Sequence, residues 1–256
     1  MRVSIVFCTA RRGGLDILER SIAHQTYRDL EVIVLDELHR KTPFVNVVPP
    51  SKKQGMHWNL SASLNAGCRA ATGEIIVLLQ DYIWMPPDAI EKYVRRFEQE
   101  GREIIVSGVG HQYADPCSAD DLDGLHSIWT EWPGEPRGAK TFTDPRAAKN
   151  GFYLTCPVEW EANWGAFPKK AWVDIGGFDE DFDASWGYDN CNFAERCQIA
   201  GYHVFLDTLN EVLCYDHILL FNEQKHRNES PNGQSLWHKK YRGMTKGGEP
   251  WKLNYA

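Results

Sequence analysis

The sequence lacks the features of a membrane-spanning protein or a general nucleic-acid-binding protein. None of its 256 residues lies in an apolar run of about 18 residues, the length of a membrane span. Lys and Arg total 28 against 35 Asp and Glu, so the net charge is −7 and offers no overall positive field to a phosphate backbone. The first ten residues also lack the apolar stretch and cleavage site of a signal peptide. We therefore expect no membrane span, no nucleic-acid partner and a cytoplasmic location.

Cysteine spacing excludes two further classes of protein. The seven cysteines are scattered and include no C-x-x-C pair, so neither a disulfide framework nor a zinc site is indicated. Tryptophan, in contrast, is abundant, with ten residues. Its indole ring stacks on sugars and bases, and it also fills protein cores, so both roles stay open.

Apolar strands alternate with amphipathic helices over the first hundred residues. The predicted strands are Val3 to Phe7, Glu31 to Leu35, Glu74 to Leu79 and Ile104 to Val106. The helices between them carry apolar residues at helical spacing, as in Ile90, Tyr93, Val94 and Phe97. This pattern predicts an α/β fold in which helices cover both faces of a mostly parallel central sheet.

Polar side chains follow three of these strands directly. Thr9 follows the first strand, Asp36 and Glu37 the second, and Asp81 the third. Ligands of such sheets bind beyond the carboxyl ends of the strands, so we expect these side chains to line a shared pocket. Neither G-x-G-x-x-G nor a Walker A loop is present, which argues against a dinucleotide site or a P-loop.

The pattern changes after residue 110. Residues 111–150 carry few periodic signals, and residues 152–187 are dense in aromatics. A helix is predicted from about Asn190 to Ala200, followed by a strand from His203 to Leu206. The polar tail after Phe221 is expected to be a mobile loop. With no clean linker, we expect a single domain with halves at 1–110 and 111–256.

Several motifs, taken in order, resemble those of the family-2 glycosyltransferases with the GT-A fold. They are Asn65-Ala66-Gly67, Asp81 with Met85-Pro86, Gly176-Gly177-Phe178-Asp179-Glu180 and Trp186-Gly187-Tyr188-Asp189. The resemblance covers roughly residues 1–100 and 164–217. It implies a GT-A (nucleotide-diphospho-sugar transferase) fold, with a nucleotide-sugar-binding half and an acceptor half. It also implies an inverting transfer of a sugar from a nucleotide-diphosphate sugar, expected to be UDP-linked, to a hydroxyl of a saccharide or related acceptor.

The resemblance further implies a divalent cation, Mn²⁺ or Mg²⁺, on the diphosphate. The acidic motif of the family reads Gln80-Asp81-Tyr82 here and retains only the central acid. Asp81 is the expected ligand, together with His217, which follows a strand-like segment late in the chain. Because the flanking acids are missing, we expect modest cation affinity. A turn-capping role for Asp81 and a packing role for His217 are the alternatives.

Asp189 is the expected general base. A single in-line displacement needs one carboxylate near the acceptor hydroxyl, and Asp189 matches the acid of the family motif. Its alternative role is that of a helix N-cap, which Asp favours. The Glu that usually precedes this acid is Tyr188 here.

The remaining expected contacts follow from the same resemblance. Nucleotide contacts are assigned to Thr9, Arg12, Asp36, Glu37, Asn65 and Asp81. Acceptor or sugar contacts are assigned to Trp160, Trp164, Trp186, Asp179 and Glu180, with core packing as the alternative for each Trp.

Two other functions compete with glycosyl transfer. One is nucleotidyl transfer that makes nucleotide sugars, for which Arg11-Arg12-Gly13-Gly14 is a faint match to the expected loop. The other is nucleotide-sugar binding without catalysis, which the incomplete acidic motif suggests. The sequence leaves the donor sugar, the acceptor and the oligomeric state open.

Overall fold

A ten-stranded mixed sheet forms the centre of the computed structural model. The structure describes residues 1–10, 14–52, 59–113, 140–184, 187–215, 233–234 and 236–237. The strands are β1 (Val3–Thr9), β2 (Leu30–Asp36), β3 (Val45–Val47), β4 (Ile75–Gln80), β5 (Ile83–Trp84), β6 (Ile104–Tyr113), β7 (Lys140–Thr143), β8 (Phe152–Leu154), β9 (Trp164–Pro168) and β10 (His203–Tyr215). Strands from both halves of the chain therefore share one sheet.

The order of the strands is β3-β2-β1-β4-β9-β6-β10-β5, with β7 beside β6 and β8 beside β10. Strands β3, β2, β1 and β4 are parallel neighbours, and β6 is parallel to β10. Strand β9 runs antiparallel to both β4 and β6. Consequently β3, β2, β1, β4, β6 and β10 all point the same way, which confirms the predicted mostly parallel sheet.

Helices cover both faces of the sheet. They are α1 (Gly14–Ala23), α2 (Leu60–Ala70), α3 (Ala89–Glu100), α4 (Lys169–Asp174) and α5 (Asp189–Ile199), with 3₁₀ turns at Pro145–Lys149, Pro157–Glu159 and Glu180–Ala184. Adjacent residues of β1 point to opposite faces, so Phe7 packs with α1 and α3 whereas Val6 packs with α2 and α5. No helix in the described part of the chain has the length and apolarity of a bilayer span.

Strand β9 is the main element that the sequence pattern did not predict. Its sequence has two small residues, Gly165 and Ala166, at its centre and no apolar–polar alternation. A Cβ atom on Gly165 would approach the Glu161 carbonyl oxygen to 2.5 Å and the Trp160 ring to 2.7 Å. The glycine is therefore required by the close passage of the segment before β9, which crosses the carboxyl end of β4.

The hydroxyl of Tyr93 secures the start of β9. This buried group donates to the Trp164 carbonyl oxygen at 2.9 Å and accepts from the Gly108 amide at 2.9 Å. It thus joins α3 to β9 and β6 through backbone groups that have no access to water.

Replacement Tyr93→Phe is expected to lower the free energy of unfolding by about 2 kcal/mol, because it leaves a buried amide and a buried carbonyl without their partner. Urea unfolding of the two proteins measures the difference. Tyr27→Phe is the control, since the Tyr27 hydroxyl is part-buried and makes one bond, to the Met1 carbonyl oxygen. An equal loss in the two variants would contradict the assigned role of Tyr93.

Candidate active site

Thr9 and Asp81 meet at the carboxyl ends of β1 and β4. The Thr9 hydroxyl donates to the Asp81 carboxylate at 2.8 Å, and both side chains are buried. A Cβ atom on Gly14 would lie 2.5 Å from Thr9 Oγ1 and 2.8 Å from Asp81 Cβ, so α1 begins directly against this pair. The amino end of a helix favours negative charge, which suits a carboxylate at this point.

Asp36 is held by its own loop. Its two oxygens accept from the backbone amides of Leu38 and Arg40 and from the Arg40 guanidinium. Burial opposes its charge, but these bonds prevail and hold the pKa of Asp36 below its usual value. Asp36 is therefore bonded within its loop, contrary to the expectation of an open nucleotide contact. Glu37 is the more open neighbour, paired with Lys52 at 2.6 Å.

Asn65 is a structural residue in this conformation. Its amide group donates to the Phe178 carbonyl and to Glu180, and its amide oxygen accepts from the Phe178 amide and the Trp172 indole. Those four bonds use all the hydrogen-bonding capacity of the side chain. The expected nucleotide contact by Asn65 is therefore wrong here, since no donor or acceptor is left for a ligand.

Asp179 and Glu180 lie beside α2 and do not join the Thr9–Asp81 pair. Together with Asn65, Trp172 and Arg69 they line a cavity of about 550 Å³ on the flank of that helix. The turn before them approaches Asn65 closely, since a Cβ atom on Gly177 would lie 2.6 Å from its Oδ1 atom.

Trp160 and Trp164 belong to the core. Their exposed fractions are 0% and 2%, and neither ring offers a face to a sugar. Trp160 stacks on Phe193 at 5.3 Å between ring centroids, and Trp164 packs on Tyr93 at 4.7 Å. The expectation of sugar stacking by these two residues is wrong, because the helices and strands around them cover both rings.

Three expected site residues lie outside the described residues: Arg12, Trp186 and His217. Most of the tail after Phe221 also lies outside them. Strand β10 nevertheless leads toward His217 and ends two residues before it, with Cys214 paired to Ile83 of β5. Because Ile83 follows Asp81 by two residues, the last described part of β10 runs beside the acidic motif.

Asp189 is the first residue of α5 and is half-buried. The cap position belongs to Tyr188, which has a φ of +69°, a left-handed conformation that costs a non-glycine residue free energy and recurs at functional sites. Tyr188 stacks on the buried ring of Trp237, whose indole donates to Glu195 at 2.8 Å. This packing holds the start of α5. Burial raises the pKa of Asp189 above its usual value.

A short segment, Trp160 to Asn163, connects the two ends of the site. At one end the Asn163 carbonyl accepts from the Gln80 amide at 3.2 Å, and the Asn163 amide group donates to the Tyr82 hydroxyl at 3.3 Å. At the other end the Trp160 carbonyl accepts from the Asn190 side chain at 2.8 Å. Three residues of chain span at most about 10 Å. The acidic motif and the start of α5 are therefore bonded to points of the chain that lie at most about 10 Å apart.

Glu161 lies within this connecting segment and was not predicted from the sequence. Its carboxylate is 3.6 Å from the Arg146 guanidinium and is 37% exposed. Burial raises the pKa of Glu161 to about 7; the positive charge of Arg146 opposes this shift, and repulsion from Asp144 and Asp189 adds to it. The Glu161 carboxyl thus retains its proton to a higher pH than an ordinary glutamate does.

Asp183 is a second residue that the sequence analysis missed. It accepts from the backbone amides of Ser61 and Ala62 at 2.7 and 3.0 Å, and so caps α2 from a distant part of the chain. Burial and, to a smaller extent, repulsion from Asp189 raise its pKa to about 6. The sequence feature that could have identified Glu161 is the pair of acids in Glu159-Trp160-Glu161. No local feature of the sequence marks Asp183.

The described residues fit a divalent cation only in part. They contain no group of three potential metal-ligating side chains. Asp81 supplies one buried carboxylate, the hard oxygen donor that Mn²⁺ and Mg²⁺ take, and the end of β10 pairs with β5 just after Asp81. Such a site is compatible with a cation whose other ligands come from a diphosphate.

Replacement Glu161→Gln is expected to stabilise the protein at about pH 8 by about 1–2 kcal/mol, after discount for partial exposure, and not at about pH 4.5. The raised pKa means that wild type loses stability as pH rises from the unfolded value of Glu161 through about 7. Gln carries no charge and escapes that loss. Urea unfolding at the two pH values measures it, and a difference independent of pH would contradict the prediction.

Comparison with known proteins gives a family and a fold. Residues 4–116 match the model of Glycosyl transferase family 2. No curated protein sequence matches the chain significantly. Among solved structures, a mannosyltransferase from Pyrobaculum calidifontis in complex with GDP-Man and Mn²⁺ is 19% identical with a TM-score of 0.53, and the match covers 83% of this chain and 56% of that one.

Two further structures are similar in the same way. S. aureus TarS 1–349 in complex with UDP-GlcNAc is 10% identical with a TM-score of 0.57, over 84% of this chain and 59% of that one. GalNAc-T7 with UDP, GalNAc and Mn²⁺ is 14% identical with a TM-score of 0.59, and the match covers 84% of this chain and 44% of that one. The chain thus spans about half the length of these structures. The recognition made from the sequence motifs is confirmed: residues 4–116 match the family-2 glycosyltransferase model, and the fold is that of the similar glycosyltransferase structures.

Proposed function

We propose that the protein transfers a sugar, with inversion, from a nucleotide-diphosphate sugar to a hydroxyl group of a carbohydrate or glycoconjugate acceptor. The observation that carries this proposal is the connecting segment, Trp160 to Asn163, which bonds to the acidic motif at one end and to the start of α5 at the other. A donor held at Asp81 would then have its sugar within reach of Asp189.

The donor half of the cleft is the polar edge at the ends of β1, β2 and β4. We assign nucleotide contacts there to Thr9, Glu37 and Arg12, with Glu37 preferred over Asp36 because Asp36 is bonded to Arg40. UDP is the expected carrier. Solved structures of similar fold hold either UDP-GlcNAc or GDP-Man, so both nucleotides belong in the test.

A divalent cation, Mn²⁺ or Mg²⁺, is assigned to Asp81 and His217. Two of the similar structures contain Mn²⁺ with their nucleotide. When bound, such a cation neutralises the charge that develops on the departing diphosphate. The protein's own contribution is to hold Asp81 through Thr9 and the start of α1, so that its carboxylate is ordered before the donor arrives.

Asp189 is assigned as the general base. Burial raises the pKa of Asp189, which strengthens its carboxylate as a proton acceptor. In an inverting transfer the acceptor oxygen attacks the anomeric carbon, the bond from that carbon to the phosphate oxygen breaks, and the hydroxyl proton passes to Asp189. One carboxylate on the acceptor side is sufficient for this single displacement.

Replacement Asp189→Asn is expected to lower kcat by about a hundredfold or more and to leave nucleotide affinity nearly unchanged, because the base acts in the transition state and not in donor binding. Transfer assays and calorimetric titration with UDP measure the two quantities. Asp181→Asn, in the exposed 3₁₀ turn nearby, is the control with the same charge change. Full activity in the Asp189 variant would remove it from the mechanism.

The carrier and the cation are tested together by thermal denaturation with UDP, GDP, dTDP or CDP, with and without Mn²⁺. A nucleotide at a hundredfold excess over its Kd should raise Tm by about 5 °C or more, and Mn²⁺ should increase the shift. Asp81→Ala should lose the nucleotide shift and its Mn²⁺ dependence, whereas Asp88→Ala, at the start of α3, should keep both. An unaltered Mn²⁺ response in Asp81→Ala would refute the assignment. Nucleotide binding without turnover would instead identify a binding protein.

The cytoplasmic location and the division into a donor half, 1–110, and an acceptor half, 111–256, also remain proposals. The sheet supports one domain, since β6, β9 and β10 combine strands from both halves.

A further inference from the structure

Glu161 and Asp189 lie close enough for their charges to interact, and the assigned reaction uses only one of the two carboxyl groups. Asn190, which follows Asp189, holds the Trp160 carbonyl, and Glu161 is the next residue of that segment. This 2.8 Å bond from the Asn190 side chain joins the residue after Asp189 to the residue before Glu161, and the charge of Asp189 acts on the Glu161 carboxyl.

We propose that Glu161 determines acceptor binding by donating a hydrogen bond to an oxygen of the acceptor sugar beside the hydroxyl that Asp189 deprotonates. The acceptor class is therefore a polyhydroxylated one, with a second oxygen adjacent to the reacting hydroxyl. This inference rests on the proposed glycosyl transfer and adds the means by which the acceptor is held.

The charges around Glu161 explain why it acts as a donor. Arg146 is the cation that faces it, but this guanidinium is already shared with Asp144 at 2.6 Å and with the Glu159 carbonyl at 2.6 Å. Arg146 therefore offers Glu161 only a longer contact of 3.6 Å. The acids that face Glu161 are Asp144 and Asp189. The negative charges of Glu161 and Asp189 also act on the thiol of Cys191.

Two carboxyl groups in one partly buried cleft do not both ionise readily, so one retains its proton. Burial, with smaller contributions from the charges of Asp144 and Asp189, raises the pKa of Glu161 to about 7, and the retained proton is assigned to Glu161 because Asp189 is the proposed base. In the reaction the acceptor proton goes to Asp189, the nucleotide diphosphate leaves with the bonding electrons, and Glu161 keeps its own proton. Glu161 is thus a specificity-determining group and exchanges no proton with the substrate.

The test uses 4-nitrophenyl glycosides as acceptors, with UDP-GlcNAc and GDP-mannose as donors, and measures kcat and the acceptor KM from about pH 6 to about pH 8. If only protonated Glu161 binds the acceptor, KM of wild type rises about tenfold over this range while kcat changes little. Glu161→Gln keeps an uncharged donor at every pH, so its KM should stay low and flat. Glu161→Ala removes the donor, and its KM should be high, by about tenfold, at both ends of the range.

Glu159→Gln is the matched control, because it removes one acidic charge two residues away and leaves Glu161 in place. Its KM should still rise with pH as in wild type. If Glu161→Ala fails to fold, as judged by urea unfolding, the comparison of Glu161→Gln with wild type decides alone.

The outcomes separate this inference from the proposed function. Transfer by wild type with a KM independent of pH, or a KM of Glu161→Gln that rises as in wild type, overturns the role of Glu161 and leaves glycosyl transfer standing. Absence of transfer to every acceptor from either donor contradicts glycosyl transfer itself, and the role of Glu161 falls with it. A pH-dependent KM in wild type that becomes flat in Glu161→Gln supports the inference.

Discussion

The site depends on the hydrogen bonds at the two ends of the segment Trp160 to Asn163. One end is bonded to the acidic motif after β4 and the other to the first turn of α5. Without these bonds Asp81 and Asp189 would belong to separate parts of the sheet edge. The segment holds its place because β9 follows it at once and is buried between β4 and β6, where Tyr93 bonds its first residue. Packing in the core thus fixes the position of the segment to which both parts bond.

Some acidic side chains around the proposed site are bonded to an arginine and others are not. The second group includes the two carboxyl groups to which the proposed chemistry is assigned. Asp36 and Asp144 are each bonded to an arginine, which holds the pKa of both below its usual value despite burial. Glu161 has only a 3.6 Å contact with Arg146, and Asp183 accepts from backbone amides instead; burial raises the pKa of Glu161, Asp183 and Asp189. Acids that are bonded to an arginine stabilise their loops. Acids whose pKa is raised by burial lower the stability of the fold, but they are side chains that can hold or accept a proton.

Sequence reasoning succeeded where the pattern is local. The strands and helices of the first hundred residues follow from apolar runs and helical spacing, and the family motifs predicted the fold. It failed for Asn65, Trp160 and Trp164. These residue types are common in ligand-binding sites, but here their side chains bond to or pack against other parts of the protein. It also missed Glu161, because the two acids of Glu159-Trp160-Glu161 are unremarkable until their neighbours in space are known. Tyr188 and Trp237 are nearly fifty residues apart in the sequence, so their stacking had no local signal.

The sequence by itself determined the alternation of strand and helix, the polar residues at the strand ends and the family, since each depends on residues close together in the chain. The tertiary structure decided which of those polar residues have partners. It buried the Asn65 side chain among four hydrogen bonds and placed the Glu161 carboxyl where the charge of Asp189 acts on it. Hydrogen-bond satisfaction and burial depend on atoms that are distant in sequence, and for that reason only the folded chain separates structural side chains from those left to act on a substrate.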